Sequence, residues 1–266
     1  MAKIGLKNLR YGILTEDAYG TPTYGGSKTF GKAIECKVAI ESNDVKLYAD
    51  DAVAESDTSF KNGTVSLGVD EDNDNVFADI LGHTITDGEI DRNANDIAPY
   101  VGLGRILPKV VNGVKKYKVE FLRKVKFHEP SQEEKTKGES IEFSTPTVEG
   151  AVATLADGRW SAAKTFTTGE SMTDAQAFAA AVAYLRGLLG DYEITATLTN
   201  VTAAAGNVTM IAPGETVVLT YKAADGATLP TTVTVTGATG AWDKQTGKLT
   251  LSEATGAVSF SVTGTK

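Results

Sequence analysis

Side chains that alternate with a period of two, in short runs cut by turn residues, limit the folds open to this chain more than any other feature. The clearest run is residues 116–127, KYKVEFLRKVKF. In an extended strand Tyr117, Val119, Phe121, Arg123, Val125 and Phe127 share one face, and Lys116, Lys118, Glu120, Leu122, Lys124 and Lys126 the other. A second run spans 141–155, where Ile141 and Phe143 alternate with Glu142 and Ser144, and Val148, Gly150 and Val152 follow Pro146. The polar stretch between them, residues 128–140, is longer than a hairpin turn requires, and long loops commonly carry contacts. Residues 34–40, IECKVAI, alternate as well and place Cys36 on a strand as a small buried side chain.

Helical periodicity appears in only two places. Residues 72–81, DNDNVFADIL, begin with Asp and Asn, carry Val76, Phe77, Ile80 and Leu81 as an apolar set, and stop at Gly82. Residues 173–189 open with Thr173 and Gln176 at capping-box spacing and continue with Phe178, Val182, Leu185, Leu188 and Leu189 before Gly190.

The last quarter of the chain is written differently. From Glu193 onward four basic residues face five acidic ones, a balance of −1, whereas the preceding part carries 22 against 29, or −7 of the net −8. This shift predicts two domains, 1–192 and 193–266. In the second, Val217, Leu219 and Tyr221, then Val233 and Val235, Leu249 and Leu251, and Val258, Phe260 and Val262 alternate with polar neighbours. Turn signals at Pro213-Gly214, Asp225-Gly226, Gly237, Thr246-Gly247 and Gly256 separate these runs. Short strands at this spacing predict a small β-sandwich. Residues 242–251, WDKQTGKLTL, read as a hairpin with Gly247 at a positive-φ position and Trp242 as a packing residue.

Composition and spacing exclude several kinds of chemistry. An acidic chain with 41% hydrophobic residues is neither disordered nor a basic nucleic-acid binder. One cysteine and two histidines, His83 and His128, leave little material for a zinc site. The N-terminal residues lack the apolar core of a secretory signal, so synthesis in the cytoplasm without export is expected. The stretch from Asp70 begins like a calcium loop, but Asn75 stands where glycine is needed and Leu81 where a bidentate glutamate is needed. A helix start enriched in acids is the better reading. Gly102-Leu103-Gly104 leads to Leu107 and Pro108, not to a third glycine opening a helix. His128 beside Glu129 has no nucleophile near it in sequence and reads as a solvated loop residue. No catalytic, cofactor-binding or metal-binding residue is therefore nominated, and the chain is not expected to be an enzyme.

Charge in the first domain is segregated. Twelve acids lie between Asp50 and Asp91 with Lys61 the only base, and eight bases lie between Arg105 and Lys126 with Glu120 the only acid. Opposite patches on one chain let copies join head to tail; equally, they are solvated faces or neutralise one another within a subunit.

Several separated segments also resemble one family. KLYADD (46–51), KNGTVSLGVDEDN (61–73), FADILG (77–82), the 116–127 strand and KTKGESIEFSTPTVEGAVATL (135–155) look, in this order, like the major tail protein of long-tailed phages and prophages of Gram-positive bacteria. The likeness covers about residues 1–190, and residues 242–264 resemble the last strands of bacterial immunoglobulin-like domains. It implies a mainly β fold: a tail-tube β-sandwich or barrel with one or two flanking helices, followed by an immunoglobulin-like sandwich. It also implies a virion protein of the phage tail, six copies to a ring and rings stacked into a tube through which DNA is ejected. The implied partners are further copies, the tape measure and the tail terminator, with the second domain displayed outside and open to weak glycan binding. A net negative lumen and a loop at 128–140 that touches the adjacent ring are expected. The alternative is a surface adhesin or virion decoration protein with an immunoglobulin-like domain.

Overall fold

The structure, a computed structural model, describes residues 4–49, 52–70, 73–130 and 146–266. The chain is mainly β with two helices and divides into two compact units, residues 1–24 with 28–182, and residues 25–27 with 183–266. The second unit thus begins inside the second helix, ahead of the composition shift at 193.

In the first unit the elements run β1 (Lys7–Glu16), β2 (Pro22–Tyr24), β3 (Lys28–Thr29), β4 (Ala33–Ser42), β5 (Val45–Ala49), β6 (Ala52–Asp57), β7 (Phe60–Val69), α1 (Asp74–Leu81), β8 (Thr84–Thr86), β9 (Glu89–Asp91), β10 (Val101–Val111), β11 (Val114–Phe127), β12 (Thr147–Ala153), β13 (Ser161–Thr167) and α2 (Asp174–Leu188). One sheet follows the order β2-β1-β10-β11-β12-β7-β4, with β3 added on β1 and β13 on β11. β11 and β12 pair antiparallel, Lys124 facing Ala153 and Phe127 facing Gly150. The expected long loop at 128–140 and the start of the strand expected at 141 fall mostly outside the described residues.

The strand at 116–127 forms, but its side chains do not keep one alternation. Leu103 faces Leu122 while Val101 faces Val125, so one residue of β10, Gly102, opposes two of β11, Arg123 and Lys124. That bulge inverts the phase of everything beyond it. Leu122, Val125 and Phe127 therefore join Val101, Leu103, Val65 and Leu67 in the core, and Tyr117, Val119 and Phe121 face the opposite side of the sheet. There Phe121 packs edge-on against Tyr24, their centroids 5.4 Å apart, and Tyr117 packs against Phe178 of α2 at 5.3 Å. Gly102 has a packing role: a Cβ there would lie 2.6 Å from Tyr24 and 2.7 Å from Phe121.

Both helices form where their caps predicted. Asn73 caps α1 by accepting hydrogen bonds from the backbone N–H groups of Asn75 and Val76. Gly82 ends it at φ +82°, its N–H donating to the Ala78 carbonyl at 2.8 Å. Val76, Phe77, Ile80 and Leu81 bury their side chains in the core. On the same helix Asp79 accepts from the Tyr11 hydroxyl at 2.8 Å and from Lys28 Nζ at 2.5 Å, tying α1 to β1 and β3. At the start of α2 the Thr173 N–H donates to Gln176 Oε1 at 2.9 Å, and the Gln176 N–H to Thr173 Oγ1 at 3.3 Å.

The second unit is a β-sandwich. Its strands are β14 (Tyr192–Thr199), β15 (Val201–Ala203), β16 (Met210–Ile211), β17 (Val217–Ala223), β18 (Val235–Thr236), β19 (Thr239–Asp243), β20 (Lys248–Ser252) and β21 (Val258–Thr263). They form two four-stranded sheets, β16-β14-β21-β18 and β15-β17-β20-β19. Ile194, Ile211, Val258, Phe260 and Val262 of the first pack against Val217, Leu219, Tyr221, Leu249 and Leu251 of the second. The hairpin read at 242–251 is β19–β20, with Gly247 at φ +66°. Trp242 packs on this core, its Nε1–H donating to the Pro230 carbonyl at 2.9 Å.

At the edge of the sandwich lies a buried ionic knot. The Asp191 carboxylate, with no exposed side-chain surface, accepts from the Ser27 N–H at 2.6 Å, from the Ser27 hydroxyl at 2.8 Å and from Arg186 Nε. Arg186 also donates to Glu215 at 2.8 Å. This knot explains why residues 25–27 and the last turn of α2 belong to the second unit: a charge at that depth is tolerated only with its hydrogen bonds made.

Candidate functional site

The charges that alternation placed on β11 meet their partners across the sheet. Arg105 of β10 stands directly opposite Glu120 and donates to its carboxylate at 2.5 Å; Lys118 donates to the other oxygen at 2.6 Å. Arg105 is only 8% exposed, and its Nη1 is buried without a hydrogen-bond partner among the described residues. These three groups line a cavity of about 580 Å³ with Leu107, Val38, Ile40 and Trp160, the last stacked on Phe60 at 5.0 Å. Cys36 is on its wall, half-buried and not fully buried as expected, because β4 is the last strand of the sheet and is covered on one side only.

Other bases of the 105–126 stretch also pair outside the acidic one: Lys115 with Asp174 at 2.9 Å and Lys124 with Glu16. From the acidic stretch, Asp70 pairs with Lys32 at 3.2 Å and Asp79 with Lys28. The oppositely charged stretches are thus each engaged, in these contacts, with residues outside the other. Asp70 also accepts from the Lys32 N–H, and Leu81 is buried at the twelfth position of the calcium-like stretch. Among the described residues no three or more His, Cys, Asp or Glu side chains come together in a metal-holding arrangement.

Open strand edges are the more extensive feature. Among the described strands β4 pairs only with β7, and β5 and β6 pair only with each other. Ile34 and Ile40 of β4 and Val45 of β5 are exposed, Ile34 by 57% and Val45 by 65%. Unpaired N–H and C=O groups beside exposed apolar side chains are what an added strand recognises.

Glu129 finds its histidine partner far from its neighbour in sequence. His128 is exposed, as expected of a loop residue, while Glu129 reaches His83, 46 positions away. His83 Nδ1 lies 2.7 Å from Asp96 Oδ2 and Nε2 lies 3.2 Å from Glu129 Oε2; Arg92 Nε is 3.3 Å from the other Glu129 oxygen. Burial opposes the ring's charge, but the two carboxylates outweigh it and hold the His83 pKa above the ordinary histidine value. No local spacing signals this cluster, because its members come from three separate stretches of chain.

In the second unit a shallow groove of about 590 Å³ is lined mainly by hydroxyls, among them Thr195, Thr197, Thr232, Thr234 and Ser261. None of the described helices is long and apolar enough to cross a membrane. No family model matches the chain, and no curated protein matches it.

Proposed function

We propose that the chain is a structural protein of a phage tail, which self-assembles into stacked hexameric rings forming the tube through which DNA is ejected. The observation that carries this reading is the edge of β4, open among the described strands, with Ile34 and Ile40 exposed on that strand. A long edge of this kind invites indiscriminate aggregation unless something covers it, and a neighbouring copy covers it while closing the sheet into a ring. The ordered segment resemblance supports the same reading. In such a tube a net negative lumen repels phosphates and lets DNA pass without being held. The second unit decorates the exterior, where its hydroxyl-lined groove is the surface for weak glycan contact.

Negative-stain microscopy of the purified protein tests the proposal. Tubes or six-fold rings are expected, and Ile34→Lys is expected to abolish them while leaving the thermal unfolding of the protomer unchanged. Monodisperse monomers under all conditions would refute the proposal and favour the adhesin or decoration reading.

A further inference from the structure

His83 follows the Gly82 cap of α1 and lies in a hollow of about 630 Å³. Every element around that hollow contributes a charged or titratable group. The stretch between β9 and β10 supplies Asp96 and Arg92, and the end of β11 with the residues after it supplies Lys126, His128 and Glu129. The His83 side chain is 9% exposed, Asp96 19% and Glu129 54%. Asp96 is also fixed from behind, its Oδ2 accepting the Asn93 N–H at 2.9 Å.

A neutral imidazole carries a single N–H. Both ring nitrogens of His83 face carboxylate oxygens, so both hydrogen bonds exist together only on the imidazolium. We propose that His83 is a proton-controlled tether, which holds the chain leaving β11 against the end of α1 when protonated and releases it at Glu129 when neutral. Release is directional. The remaining proton stays on Nδ1, where Asp96 is nearer, more buried and already oriented. Nε2 then turns a lone pair toward Glu129, and acceptor faces acceptor. What remains on Glu129 is Arg92, a half-exposed pair at 3.3 Å that contributes little by itself. Lys126 also lines the hollow, but its Nζ lies over the Tyr100 ring, 5.3 Å from the centroid.

The sign follows from the raised folded-state pKa of His83. The tether is fully formed below the roughly 6.5 of an unperturbed histidine and is lost as pH rises through the higher folded value. Nuclear magnetic resonance of the full chain between pH 5 and 9 tests this directly, since there are only two imidazoles and His128→Gln assigns them. The His83 midpoint is expected above 6.5, and the Glu129 backbone amide is expected to shift and gain mobility with the same midpoint. Glu129→Gln, a change at a half-exposed position, should leave the fold intact and weaken proton affinity several-fold. His83→Gln should remove the transition at the Glu129 amide. A His83 midpoint at or below 6.5, the same midpoint in Glu129→Gln, or a Glu129 transition persisting in His83→Gln would each overturn the tether. If His83→Gln does not fold, the Glu129→Gln comparison decides alone.

Discussion

Replacing Asp191 by alanine should unfold the second unit at a markedly lower temperature while the first unit is little affected. The carboxylate is fully buried and accepts three hydrogen bonds, two from Ser27 and one from Arg186. Hydrogen bonds to charged groups contribute about 1.5–3 kcal/mol each, and removing one partner of a buried pair costs about 3–5 kcal/mol because the other charge is stranded. Arg186 would be left 9% exposed but not alone, since Glu215 still accepts from it at 2.8 Å. The low end, about 3 kcal/mol, is therefore expected. For a unit of this size each kcal/mol moves the melting temperature by roughly 4–8 °C, so the transition should fall by about 12–24 °C. Tryptophan fluorescence reads it cleanly: in a Trp160→Phe background Trp242, packed on the sandwich core, is the only indole left. Glu215→Gln is the control; its carboxylate is 39% exposed, and a loss under about 1 kcal/mol is expected. A loss below about 1 kcal/mol for Asp191→Ala, or equal losses for the two variants, would refute the claim that the buried carboxylate organises this region.

Two further outcomes test the first unit. Glu120→Leu strips a shared acceptor from Arg105 and Lys118 and should cost about 3 kcal/mol in urea titration, whereas Arg105→Met with Glu120→Leu should recover most of that loss; equal costs would show that the pair is not the source. Gly82→Ala forces an L side chain into φ +82° and sets its Cβ 2.4 Å from the Ile97 carbonyl, so a loss of at least about 2 kcal/mol is expected by calorimetry, and a neutral result would disprove the αL cap.

Much of the architecture was legible because its causes are local. Thr173 and Gln176 announce the start of α2 at capping-box spacing, Gly82 stops α1, and Gly247 permits the β19–β20 turn; each requires only neighbours within a few residues. The alternation in 217–221, 249–251 and 258–262 likewise fixes which side of each strand is buried, since successive side chains must point to opposite faces. Even so, alternation failed inside its clearest example. One extra residue in β11 opposite β10 moved Leu122 into the core and sent Phe121 to the other face, and the cause of that shift lies in the partner strand.

The candidate sites depend on such distant partners to a greater degree. Nothing near Glu129 in sequence points to His83, nothing near Ser27 points to Asp191, and only strand register brings Glu120 opposite Arg105. The sequence by itself determined a mainly β chain with two helices, where those helices begin and end, and a compositional break before the last quarter. Tertiary structure alone decided the bulge in β11, the open edge of β4, the buried knot at Asp191 and the two-sided hold on His83. Propensity, capping and turn chemistry act over a few residues and are written locally, whereas register and buried charge pairing arise from groups that only folding brings within hydrogen-bond distance.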